Sequence, residues 1–526
     1  MTWNRLSLVV LAFVLCAAGV SAQAPVYDLV IAGGTIFDGS GGPAMTGDIG
    51  IKDGKIAAIG RITPAPGART FSAAGAIVAP GFIDIHTHGD RGIIADRLKS
   101  AQNYIAQGVT TLVTGNCGDG TFDVAQYFDR IRQQGAGPNI VHLVGHGTVR
   151  GAVMQSADRA PTPEELGRMK ALVEKAMREG AAGLSSGLFY APGSYAKVEE
   201  VVELARVVKE FGGIYTSHIR DESNYTIGLK ASIEEAIEVG EKAGVPVQIS
   251  HIKALGKPVW GQAPEICRII EAAQGRGVRV FADQYPYNAS GTSLAASTLA
   301  RWVEADGKTR ERLQDPKLLP RIRQEMAENI ERRGGPDTLL ISSFRAKPEW
   351  EGKNLLEISR ITGKTPVETA IEMLIMGSAG VISFNMSEAD IEYFMKKPYV
   401  ATCSDGDVVE FGRGLPHPRS YAAFTHKLRQ YVTDRKTIPM AQAIRAATGL
   451  PAGILGFKDR GLLKPGYTAD LVVFDPATLA DKATYENPHQ YATGIRLVVV
   501  NGKTEVEEGK LTGVLAGKPL PSARAR

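Results

Sequence analysis

The chain has 526 residues, 44% hydrophobic and 22% charged, with a formal net charge of +4. This composition excludes a disordered or fibrous protein, and the length suits a large barrel with smaller attachments. The charges are interspersed, with no basic run and no alternation of basic and aromatic residues, so a nucleic-acid partner is not expected.

Residues 1–22 read as a signal peptide. Arg5 supplies a positive start, Leu6 to Val20 is almost wholly apolar, and Val20-Ser21-Ala22 resembles a small-residue cleavage site. The apolar run, roughly 15 residues, is short of the ~20 that a stable membrane span needs. Export, to a periplasm after cleavage near Ala22, is therefore expected. Cys117, Cys267 and Cys403 would remain in the mature chain. So sparse and odd a set in an oxidising compartment does not form a disulfide framework.

Residues 23–79 have the texture of short strands and turns. Asp28-Leu29-Val30-Ile31 precedes Gly33-Gly34, and Asp53-Gly54 makes a hairpin turn within a β pattern from Asp48 to Ile59. Residues 456–526 repeat it, with apolar runs at Ala469–Phe474 and Ile495–Val500 and an Asn501-Gly502 turn. The two ends are expected to pair into one small β-sandwich.

Residues 80–455 alternate between β and α texture. Candidate parallel strands centre on Phe82–Ile85, Thr111–Val113, Ile140–Val144, Gly183–Ser185, Ile214–Thr216, Val247–Ile249, Val278–Ala282 and Val400–Thr402. Eight β/α units predict a (β/α)₈ TIM-like barrel in the α/β class. The interval before Val400 is too long for one unit, so a helical insertion is expected at about residues 295–345.

The ends of these runs carry the chemistry. The first leads into His86-Thr87-His88, the second into Gly115-Asn116-Cys117, and the fifth and sixth end at His218 and His251. The eighth reaches Asp405. Strand C-termini converge on one face of such a barrel, where active sites are built. Singly, each residue has an ordinary role: a strand cap, a small buried thiol, a turn former. Together they place four of nine histidines, a thiol and a carboxylate at strand ends of one polarity. That donor set suits Zn²⁺.

Pro80-Gly81-Phe82-Ile83-Asp84-Ile85-His86-Thr87-His88 resembles the first-strand signature of the amidohydrolase superfamily. Gly115-Asn116-Cys117-Gly118, Ser217-His218-Ile219-Arg220, Ser250-His251-Ile252-Lys253, Cys403-Ser404-Asp405-Gly406 and His417-Pro418-Arg419 are similar to its D-aminoacylase (N-acyl-D-amino-acid deacylase) branch. The resemblance runs from about residue 27 to 515, and the cysteine is its sharper mark, because many relatives carry a carboxylated lysine there. It implies a tight zinc site at Cys117, His218 and His251. A second, weaker metal site would use His86, His88 and Asp405, and Asp405 would be the catalytic acid–base. It further implies that Lys253, Arg419 and Tyr190 hold the carboxylate of a small-molecule N-acyl amino acid. Tyr287, in Tyr285-Pro286-Tyr287-Asn288, would line the acyl or side-chain pocket.

The physical logic agrees. An amide carbonyl resists neutral water, zinc lowers the pKa of a bound water to about 7, and a carboxylate can carry the proton to the leaving nitrogen. The expected activity is hydrolysis of N-acyl-D-amino acids by metal-activated hydroxide. Dipeptides, N-acyl-L-amino acids or cyclic amides are the alternative substrates, and D-selectivity comes from the resemblance alone. A catalytically dead barrel would have lost ligands, and every expected ligand is present. Oligomeric state is not legible.

Overall fold

The computed structural model describes residues 26–522. The expected signal peptide lies outside the described residues. No helix among those described is long and apolar enough to cross a membrane.

The barrel contains all eight expected strands: Phe82–Asp84, Val109–Thr114, Asn139–His142 continuing as Val144–Gly145, Gly183–Gly187, Ile214–His218, Val247–Ile249, Val280–Gln284 and Val400–Thr402. Every ladder between them is parallel. Most of these residues are buried, as expected of strands covered by helices outside and packed side chains within. The covering helices are amphipathic. Helix Pro163–Arg178, for example, starts in a Thr162/Glu165 capping box and buries Met169, Val173, Ala176 and Met177.

The barrel closes between its eighth and first strands just beyond their regular ladders. The Asp405 N–H donates to the His86 carbonyl at 2.9 Å, and the His88 N–H donates to the Gly406 carbonyl at 2.7 Å. The seam thus fixes the backbones of His86, His88 and Asp405 against one another.

The two chain ends share a nine-stranded sheet. Strand Ile77–Pro80 pairs antiparallel with Leu471–Phe474, joining the N-terminal strands to those at Ile495–Val500 and Lys503–Glu507. The sheet bends back on itself, because the Ile56 N–H donates to the Tyr467 carbonyl at 2.8 Å. Ile31, Ile49, Ile51, Leu471, Leu497 and Val499 fill one apolar core inside it.

The insertion differs from the expected helical segment. It starts at strand Ala289–Ser293, which pairs antiparallel with Ala379–Phe384, and this in turn pairs with Leu339–Phe344. Helices Leu294–Thr298, Leu319–Arg332, Leu355–Thr362 and Pro366–Met376 pack on it around a separate core that includes Ile322, Met326, Phe344 and Leu355. The unit therefore extends to residue 384 and is mixed α/β. Pairing between strands so far apart in sequence leaves no local pattern to read.

Candidate metal centre

Three of the expected residues sit in backbone conformations that side chains rarely adopt. Cys117 has φ +53°, His251 +33° and Asp405 +50°. Each lies two or three residues beyond the end of a barrel strand, at Thr114, Ile249 and Thr402 respectively, where the chain turns. Such strain persists only where surrounding structure overdetermines it, and it concentrates at functional sites. Gly115 makes the first turn possible. It has φ +83°, and a Cβ there would fall 2.1 Å from the Leu143 carbonyl oxygen.

The turns bring six barrel residues together. Cys117 Sγ lies 3.3 Å from His86 Nε2, 3.6 Å from His218 Nδ1 and 3.6 Å from His251 Nε2. Asp405 Oδ1 lies 3.0 Å from His88 Nε2 and 3.5 Å from His86 Nε2. The donor atoms form overlapping groups, His86–Cys117–His251 and His86–His88–Asp405, each within 4.8 Å. All but His88 are buried. A thiol, imidazoles and a carboxylate with these spacings fit a thiophilic divalent metal. His218 Nε2, buried without a hydrogen-bond partner, leaves that ring free for a further ligand.

A second layer of carboxylates orients the rings. Asp283 Oδ1 lies 3.3 Å from His86 Nδ1 and accepts from the His251 backbone N–H at 2.7 Å. Glu222 Oε1 lies 3.2 Å from His251 Nδ1, and Glu222 Oε2 lies 3.8 Å from His218 Nε2. Carboxylates behind metal-binding histidines fix the tautomer and raise ligand basicity. Neither acid was singled out from the sequence. Asp283 sits at the end of the seventh strand and Glu222 follows His218 by four residues, so both were within reach of the same strand-end reasoning.

Electrostatics favour ionised donors. Burial opposes ionisation of Cys117, but the imidazoles of His86, His218 and His251 outweigh it and hold the thiol well below its usual range. Burial likewise opposes the Asp405 carboxylate, yet Arg419 and the nearby imidazoles keep it ionised. Cys267 and Cys403 have raised pKa values, chiefly through burial. All three described cysteines are free thiols.

Lys253, Arg419 and Tyr190 line the same cavity as Cys117 and Asp405. A terminal nitrogen of Arg419 lies 2.7 Å from Asp405 Oδ2 as an ion pair, and the Lys253 amine donates to Glu222 Oε1 at 2.5 Å. The Tyr190 ring stands 4.7 Å from that of His218, and its hydroxyl lies 3.3 Å from Thr292 Oγ1. Tyr287 is the exception. It is buried outside the cavity, stacked on His426 at 4.4 Å, whereas Tyr285 lines the cavity beneath the Arg419 guanidinium. The strand ends at Gln284, before either tyrosine, so alternation cannot tell which of them turns inward.

A family model described as the amidohydrolase family matches residues 69–306 and 399–506. Most of the insertion falls in the gap. D-aminoacylase of Alcaligenes xylosoxydans xylosoxydans is 36% identical over 522 residues, covering 95% of this chain and 98% of that protein. N-acyl-D-aspartate deacylase of the same organism is 35% identical over 510 residues, covering 92% and 93%. The solved structure of N-acyl-D-glutamate deacylase from Bordetella bronchiseptica, in complex with zinc and a phosphonate mimic of the tetrahedral intermediate, superposes with a TM-score of 0.82. It is 33% identical and covers 94% of this chain and 100% of that one.

Proposed function

This chain belongs to the amidohydrolase family, and from that premise we propose that it is a zinc-dependent deacylase of N-acyl-D-amino acids. The observation that carries the reading is the convergence of three imidazoles within 3.6 Å of one thiol sulfur, beside a buried carboxylate. Relatives similar over nearly their whole length cleave acyl groups from D-amino acids, which supports both the bond and the stereochemistry.

Cys117, His218 and His251 would hold the principal metal, with His86, His88 and Asp405 able to take a second. Zinc there supplies Lewis acidity to a water and to the amide carbonyl. The chain's own groups do the rest. Asp405 takes the water proton on Oδ1, the oxygen facing the histidines, while Arg419 holds Oδ2. The same carboxyl returns the proton to the amide nitrogen, turning a poor leaving group into an amine. Arg419, Lys253 and Tyr190 receive the α-carboxylate, Arg as a planar fork and Lys as a point charge. Tyr285 flanks them. Export to the periplasm is part of this proposal and rests on the N-terminal sequence alone.

The test is a turnover screen of the zinc-loaded protein against N-acetyl-D-amino acids, N-acetyl-L-amino acids, dipeptides and hydantoins. Hydrolysis confined to the D-compounds is expected. Turnover of another class without any D-compound would move the assignment to that amide.

A further inference from the structure

Three cations face the catalytic cavity, and two of them have a carboxylate partner: Arg419 has Asp405 and Lys253 has Glu222. The third, Arg333, has none. No carboxylate oxygen among the described residues comes within 4.0 Å of its guanidinium, although the side chain is only 2% exposed. Its Nε is buried without a hydrogen-bond partner. The contacts it does make are uncharged. The Asn385 amide, turned so that both its ends are satisfied, accepts from one terminal nitrogen at 3.2 Å, and the guanidinium stands 5.8 Å from the Tyr225 ring.

An arginine cannot shed its charge, and burying an unpaired charge costs stability. Proteins keep such a group where a ligand supplies the counter-ion. Arg333 follows the last turn of helix Leu319–Arg332 in the insertion, so it reaches the cavity from a different part of the molecule than Arg419 and Lys253. Ser290, which shares hydrogen bonds with Asn385, continues the same wall.

We infer that Arg333 receives a second carboxylate, on the substrate side chain, and that the preferred substrates are N-acyl derivatives of D-aspartate or D-glutamate. Arg301 is not part of this cavity's lining, and its guanidinium is held by Glu304 and by the carbonyls of Ala296 and Leu299.

The inference rests on the deacylase reading above, so its test uses isosteric pairs sharing everything but the side-chain charge. These are N-acetyl-D-glutamate against N-acetyl-D-glutamine, and N-acetyl-D-aspartate against N-acetyl-D-asparagine. The wild-type zinc enzyme should favour the acid of a pair by at least about 100-fold in kcat/KM. In Arg333→Met that ratio should collapse towards unity, with Arg333→Lys between. A ratio does not depend on the fraction of variant that folds, and the wild-type arm stands without any variant. Equal wild-type turnover of acid and amide, or a ratio that Arg333→Met leaves unchanged, would overturn the inference while leaving the deacylase reading intact. Hydrolysis of none of the four compounds, nor of any other N-acetyl-D-amino acid, would overturn both.

Discussion

Arg419 and Asp405 form a buried pair, guanidinium to carboxylate Oδ2 at 2.7 Å, at the mouth of a cluster of four histidines and one thiol. The pair leaves Oδ1 turned towards His86 and His88. On the proposed function, one residue both fixes the acid–base and presents a cation to the substrate. Arg419→Lys keeps the charge and loses the fork. Its kcat/KM for an N-acyl-D-amino acid should fall roughly 100-fold, with KM rising, in steady-state assays. An unchanged KM would remove Arg419 from carboxylate binding.

Asp405→Asn preserves shape and removes the proton-carrying oxygen. Because the principal metal is assigned to Cys117, His218 and His251, zinc content should stay near wild type. The rate kcat should fall by about 10²–10⁴. Metal analysis and steady-state kinetics on one preparation check both halves, and a variant with normal kcat would assign the acid–base elsewhere.

Cys117→Ala should reduce bound zinc to background by metal analysis after dialysis. Cys267, buried on helix Ala263–Gly275, is the control, and Cys267→Ala should retain zinc. Equal zinc in the two variants would defeat the assignment of Cys117 as a ligand.

Glu505 gives a pH-dependent prediction far from the metal. Burial pushes its carboxyl up to about 8 from an ordinary 4.5, against a stabilising hydrogen bond from the Ala516 N–H at 2.8 Å. The folded state then holds a proton that the unfolded chain releases, so stability falls as pH rises from about 4.5 to about 8. The slope from this group is at most about 1.4 kcal/mol per pH unit. Glu505→Gln should remove it. Thermal melts should show the variant gaining on wild type between pH 5 and pH 8, and a constant difference in Tm would refute the account.

Expression of the full chain in a bacterium with periplasmic fractionation checks export. The recovered protein should begin at or near residue 23 by N-terminal sequencing. An uncleaved chain confined to the cytoplasm would contradict it.

How far the sequence reaches is seen in His251 and Arg333. His251 ends an apolar run of the same polarity as seven others, and polarity along parallel strands converts sequence position into a shared face. The barrel and the cluster of Cys117, His86, His88, His218, His251 and Asp405 were legible for that reason, and the pairing of the chain ends from their shared strand-and-turn texture. Period and strand direction are local properties. What lay beyond them required the packed chain. Tyr285 rather than Tyr287 faces the cavity, and both lie beyond the strand end at Gln284, where alternation no longer applies. Glu222 and Asp283 lie at or just beyond strand ends, but only the packed chain shows which histidines they face. The insertion gains its sheet from a strand at Ala379–Phe384 that pairs with segments far along the chain. Arg333 stands in an arginine- and glutamate-rich stretch like many surface helices, and only tertiary structure puts it in the cavity without a counter-ion. Sequence alone determined which histidines, thiol and carboxylate stand at strand ends on one face, because strand ends are set locally. The fold decided which charges are left unpaired, because pairing depends on distances that no local pattern encodes.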